Sequence, residues 1–212
     1  MKILRVTSLA LPEVKVIRFA RLPDHRGYFA EHYRKSVLQN SDQTAFLRGM
    51  EFLQCNESFS KSETLRGLHY QWNPYMGKLV RTIHGHMVDL ALDIRKGSPT
   101  FGKIVAHDMP SDPSLPFDEW IWVPVGFAHG NFFLAETTIE YFCSGEYSPT
   151  CEAGISPLAK DIDWSLCDQG LKKRFDGIVG GNVLISDKDR NGCSLASWLA
   201  DGRSNLFVYP MP

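Results

Sequence analysis

Met87-Val88-Asp89-Leu90-Ala91-Leu92-Asp93-Ile94-Arg95 alternates strictly: Val88, Leu90, Leu92 and Ile94 share one face, while Asp89, Ala91 and Asp93 share the other. A period of two marks a β-strand, because successive side chains leave the pleated backbone on opposite sides. One face therefore packs and the other carries carboxylates. Around this strand, from about residue 50 to 150, short apolar runs are punctuated by Gly, Pro, Asn and Ser, the pattern of antiparallel β-structure. Further strands are expected at 14–20, 28–34, 50–58, 64–71, 78–84, 101–109, 119–123, 131–134 and 138–145. So many strands at short spacing favour a closed barrel or a two-sheet jelly roll, whose interior holds one small ligand. Helical signals are few: one or two short helices over Ser36–Arg48, another over Gly192–Ala200, and single turns at Asp161–Trp164 and Lys172–Asp176. Cys167–Gly181, rich in charge and glycine, reads as a loop, and the tail 201–212 has no usable period.

With 212 residues and 43% hydrophobic content, the chain can bury a full core and fits a single domain over 1–212. Its net charge of −1 steers it toward neither nucleic acid nor an anionic membrane, so any anion site must be local. Five cysteines without Cys-x-x-Cys spacing argue against a disulfide framework and a zinc ribbon, and fit a reducing cytoplasm. The N-terminus meets Arg5 and Glu13 before an apolar core of signal-peptide length forms. No stretch approaches the roughly 18–20 apolar residues that span a bilayer. The expectation is an unexported, cytoplasmic chain.

Residues 65–81 break the apolar pattern. Arg66, His69, Lys78 and Arg81 stand there among β-formers and glycines, which requires something anionic against that surface. Gly77, just before Lys78, allows close approach of backbone and ligand. His84-Gly85-His86 suggests a metal pair on one strand face, but the third and fourth ligands are missing, with Leu90 and Ala91 where a carboxylate would follow. Neither a metal nor another cofactor is expected.

Together with Asp24-x-Arg26-Gly27-x-Phe29-x-Glu31, Gly126-Phe127-Ala128-His129-Gly130 and Ser186-x-Lys188-Asp189, this segment resembles the dTDP-4-dehydrorhamnose 3,5-epimerase family, from about Pro23 to Asp189. The resemblance implies an all-β, double-stranded β-helix (jelly roll, cupin) with a few short helices. It implies inversion at C3 and/or C5 of a nucleotide-diphosphate 4-keto-6-deoxyhexose, by proton removal next to the C4 carbonyl and return from the opposite face. It also implies a metal-free homodimer in which a strand around 24–34 crosses to the partner and completes the nucleotide pocket.

Residue by residue, His69 matches the general base and Asp189 the carboxylate that orients it. Lys78 matches the cation at the C4 oxyanion. Such chemistry needs these groups, since a proton next to a carbonyl leaves only if the enolate is stabilised. The acid on the other face is Tyr141 when counted back from Tyr147-Ser148-Pro149, but counting forward from His129 lands on Phe142. A phenylalanine offers no proton, so Tyr141 is the candidate. Arg26 and Arg66 match diphosphate-holding residues, Gln54 and Asn56 polar positions near nucleotide or sugar, and Glu31 one facing the base. Tyr147 is a stacking candidate, and His129 lies on the site rim.

Arg66 and His69 fall on opposite faces by strict alternation, and Gly67 permits a bulge that brings both inward. The chain departs from the family at Cys55, where Asp is usual, in a shortened segment at 154–158, in an insertion at 167–181 and in its tail. Inversion at one centre only, keto isomerisation, and a non-catalytic cupin that binds a nucleotide sugar remain as alternatives. An intact acid–base set favours an enzyme, since a binder needs only the arginines.

Overall fold

The computed structural model describes residues 1–211. Its strands are β1 (Ile3–Ser8), β2 (Lys15–Asp24), β3 (Gly27–Ala30), β4 (Gln54–Ser60), β5 (Leu65–Gln71), β6 (Lys78–His84), β7 (His86–Asp93), β8 (Ile104–Pro110), β9 (Phe117–Val123), β10 (Phe127–Phe133), β11 (Thr137–Cys143) and β12 (Glu152–Gly154). They form two antiparallel sheets. One runs β1-β2-β9-β6-β11-β4 with β3 paired to β2, and the other runs β12-β5-β10-β7-β8. The two sheets enclose a cavity between their inner faces, the jelly-roll form of the two arrangements that strand spacing leaves open.

Side-chain alternation sorts the core into three apolar clusters. Between the sheets lie Val16, Val80, Met87, Ala91, Ile121, Val123, Phe133 and Ile139. On the outer face of the five-stranded sheet, Leu65, Leu68, Val88, Leu90 and Leu92 pack against Phe175, Ile178, Leu195, Trp198 and Phe207. The outer face of the larger sheet packs Ile17, Phe19, Leu79, Trp120 and Trp122 against Leu38 and Leu47. Both faces of β7 are therefore buried, and its carboxylates point into the space between the sheets.

Four short α-helices lie on this frame among the described residues: α1 (Lys35–Asn40), α2 (Gln169–Gly180), α3 (Asp187–Arg190) and α4 (Leu195–Ala200), with 3-10 turns at Asp42–Leu47 and Gly202–Leu206. The loop expected over 167–181 is instead helix α2. Asp168 caps it by accepting from the Leu171 amide at 3.0 Å, and Leu171, Phe175 and Ile178 form an apolar stripe against the outer cluster. Glycine and charge on the solvent side mask that stripe in the sequence. Likewise, the tail is ordered by Phe207, which is 1% exposed. β1 and β12, which no alternation announces, add edge strands to the two sheets.

Candidate active site

The histidine and its carboxylate come from elements far apart in the chain. His69 lies on β5, and Asp189 on α3, whose N-cap Ser186 accepts from the Asp189 amide. His69 Nε2 and Asp189 Oδ1 are 2.6 Å apart, and the carboxylate's other oxygen accepts from the Gly67 amide at 3.3 Å. Burial opposes ionisation of Asp189, but the hydrogen bond and charge of His69 outweigh it and hold the carboxyl below its usual range. An ionised Asp189 accepts the Nε2 proton and so fixes the ring's tautomer, leaving Nδ1 as the accepting nitrogen.

The bulge allowed by Gly67 is present. Asn131 pairs with Arg66 and His129 with His69, so three steps along β5 span two along β10. Gly67 has φ +109°, and a Cβ there would come within 2.6 Å of the Gly130 Cα. This irregularity turns Arg66 and His69 toward one cavity of about 180 Å³, also lined by Ser58, His129, Asn131, Tyr141 and Asp189.

The structure separates Tyr141 from Phe142 by the sheet face each occupies. Tyr141, paired across strands with Asn56 and Val80, lines the cavity from the larger sheet, opposite His69 on the smaller. Phe142 points the other way and stacks on Trp120 with ring centroids 5.5 Å apart. Burial pushes the Tyr141 hydroxyl up, with Asn56 and Arg66 opposing, so the phenol keeps its proton at neutral pH.

Lys78 begins β6 next to this cavity rather than lining it. It is half-buried, and no protein group among the described residues accepts from its ammonium. Burial pulls its pKa down, while Cys143, Asp89 and Glu152 oppose that. Gly77 does not serve ligand approach: a Cβ there would strike the Trp122 indole at 2.3 Å, so its role is packing. His129 is buried, with Nε2 2.7 Å from Asp89 Oδ2. Burial lowers its pKa despite that carboxylate, leaving a neutral ring whose other nitrogen accepts.

The remaining candidates divide into two groups. Gln54 lies on β4 beside the cavity's lining residues, donating to Asn56 Oδ1 at 2.9 Å and accepting from the Tyr147 amide at 2.8 Å. Tyr147 is 54% exposed at the mouth, where its hydroxyl reaches Glu152, which also pairs with Lys188. Glu152 was not singled out from the sequence; its only signal is its place five residues after Tyr147. Arg66 is docked on β4, donating to Ser60 Oγ at 2.8 Å and to the Phe59 carbonyl at 3.0 Å.

Arg26 and Glu31, by contrast, are not brought to this cavity within one chain. Arg26 pairs with Asp24 at the tip of the β2–β3 hairpin, and Glu31 accepts from Arg34 and the N-terminal ammonium. Cys55 points outward on β4, away from the cavity. His84 and His86 do not share a strand face either: Gly85, at φ +90°, turns the chain between them, and His86 pairs with Asp108 at 2.7 Å. Among the described residues, no three His, Cys, Asp or Glu side chains gather as a metal would need. Among the described residues, no helix is long and apolar enough to cross a membrane.

Comparison with known proteins adds to this geometry. The family model described as dTDP-4-dehydrorhamnose 3,5-epimerase matches residues 8–197. A protein of that name from Shigella flexneri is 37% identical over 193 residues, 89% of this chain and 94% of its own length. The crystal structure of a dTDP-6-deoxy-D-glucose-3,5-epimerase from Legionella pneumophila, in complex with dTDP-4-keto-L-rhamnose, superposes with TM-score 0.79 at 31% identity, covering 98% of this chain and 99% of that one. A 3'-monoepimerase from Streptomyces bikiniensis, in complex with dTDP-quinovose, gives TM-score 0.74 at 26% identity over 95% of this chain and 92% of its own.

Proposed function

The chain belongs to the dTDP-4-dehydrorhamnose 3,5-epimerase family, and on that premise we propose how its residues share the reaction. It is an isomerase of deoxysugar biosynthesis, acting on a dTDP-linked 4-keto-6-deoxyhexose. His69, oriented by Asp189, removes the proton next to the C4 carbonyl. The ammonium of Lys78 stabilises the enolate oxygen, and Tyr141 returns a proton from the opposite face. The observation that carries this reading is the opposition of His69 and Tyr141 across one cavity, on strands of facing sheets. A base and an acid on the same face would restore the original configuration.

Arg66 and the Gln54–Asn56 pair are assigned to the diphosphate and sugar, with Tyr147 stacking on the base. Arg26 and Glu31 reach the site only if the hairpin crosses to a second copy. Leu22 and Phe29 support that, since they stand 57% and 64% exposed on the hairpin. Inversion at C3 alone is the second reading, favoured by the likeness to the 3'-monoepimerase.

Incubation with dTDP-4-keto-6-deoxyglucose in D2O, followed by NMR, tests the assignment. Deuterium should enter at C3 and C5 with wild-type protein. With His69→Asn exchange should vanish while dTDP still binds. Exchange at C3 only selects the second reading, and substantial exchange in the variant removes His69 from its role.

A further inference from the structure

Asn131 lines the same cavity as His69 and Tyr141, yet no step above uses it. It is 5% exposed, on β10 two residues after His129. Its amide nitrogen donates to Asp89 Oδ2 at 2.9 Å and approaches Met87 Sδ at 3.2 Å. A carboxylate only accepts, so the NH2 end of the amide must face Asp89; the flipped amide would set carbonyl oxygen against carboxylate oxygen. The carbonyl end is thereby fixed away from Asp89, and no protein donor among the described residues meets it.

His129 is held on the same Asp89 oxygen and turns an accepting nitrogen away from it. This wall of the cavity thus offers two locked acceptors, which suits the hydroxyls of a sugar. Strand register says which hydroxyl. His129 stands opposite His69, which takes the proton, whereas Asn131 stands opposite Arg66, which is assigned to the diphosphate. Between the anomeric carbon that bears the diphosphate and the reacting C3 lies C2.

Resting on the epimerase reading, we propose that Asn131 is a specificity-determining residue. Its side-chain carbonyl accepts from the C2 hydroxyl, so the enzyme selects 2-hydroxy over 2-deoxy 4-keto-6-deoxyhexoses.

The test compares kcat/KM for dTDP-4-keto-6-deoxyglucose and its 2-deoxy counterpart, with wild-type protein and with Asn131→Leu, which keeps the branched outline of the side chain but removes the acceptor. Wild type should favour the hydroxylated sugar about tenfold, the scale of one good hydrogen bond, and Asn131→Leu should bring that ratio close to one. An unchanged ratio in the variant overturns the proposal. Should Asn131→Leu fail to fold, competition between the two sugars for the wild-type enzyme decides, and equal turnover overturns the proposal. Wild-type protein that turns over neither sugar refutes the epimerase reading and this inference with it, whereas equal turnover of both sinks only the role of Asn131.

Discussion

Asp89 and Asp93 leave β7 with the same parity, and they are 1% and 0% exposed. Asp93 is saturated. One oxygen accepts from the Arg95 amide and Nε, at 3.0 and 2.8 Å, and the other from Arg95 Nη2, Ser98 and Thr100, at 2.8, 2.6 and 2.6 Å. Asp89 differs: Oδ2 serves His129 and Asn131, while Oδ1 is buried with no partner. Nearby, half-buried Lys78 donates to no protein group among the described residues. Buried polar groups in folded proteins are nearly always paired, so an unpartnered carboxylate oxygen beside the cavity is a point where a ligand or a reaction can supply the balance. The saturated cluster is a structural rivet, and the unsaturated one surrounds the site.

Substitutions on the two sides should separate activity from stability. The largest effect is expected at Tyr141→Phe on the site side: deuterium still enters through His69, but inversion falls by about 10²–10⁴-fold, the contribution of a positioned acid. Chiral analysis of the product alongside the exchange rate reads this. A folded variant that inverts normally would move the acid elsewhere.

Asp93→Asn should do the reverse. Removing one partner of a buried ion pair costs about 3–5 kcal/mol, seen as a lower urea midpoint, with turnover at 25 °C nearly intact. The acid limb of stability sharpens this. Burial opposes ionisation of Asp93, but Arg95, Ser98 and Thr100 outweigh it, so its folded pKa lies below the unfolded one. Its contribution is therefore complete above the unfolded value, about 3.9, and is lost as pH falls through the folded value. The variant should lose less stability than wild type below about pH 4.

The smallest effect is on the alkaline side. Burial pulls the Lys78 pKa down and pushes the Tyr141 pKa up. The pH profile of kcat/KM, which reports the free enzyme, should thus turn down below the ordinary lysine value of about 10.4. In Lys78→Arg, whose side chain stays charged, that limb should disappear from whatever activity remains. Persistence of the same limb would assign it to another group.

Much of this was legible in the chain. Alternation in β7 and the turn residues between the runs set the β-architecture, since both depend only on neighbours in sequence. The motifs around His69, Lys78 and Asp189 pointed to the family, and through it to the chemistry, where the residue types alone favour ordinary structural roles. Local patterning was less reliable where one side of an element faces solvent. Helix α2 read as a loop because its apolar stripe is interleaved with Lys172, Lys173, Arg174 and Gly177. Gly77 suggested ligand approach, yet the neighbour that demands a glycine there, Trp122, is supplied by another strand.

By itself, then, the sequence determined that the chain folds as short antiparallel strands, which follows from period, and its family motifs named the candidates for the acid–base chemistry. Tertiary structure alone decided direction. It placed Tyr141 inward and Phe142 outward, although the counts allowed either, because a one-residue slip in a strand moves every side chain to the other face. It bent β5 at Gly67 so that Arg66 and His69 share a cavity, and it joined His69 to a carboxylate 120 positions away. It also made Asp93 a rivet and Asp89 the support of His129 and Asn131, since two carboxylates that look alike along a strand acquire different roles only from what the rest of the fold brings against them.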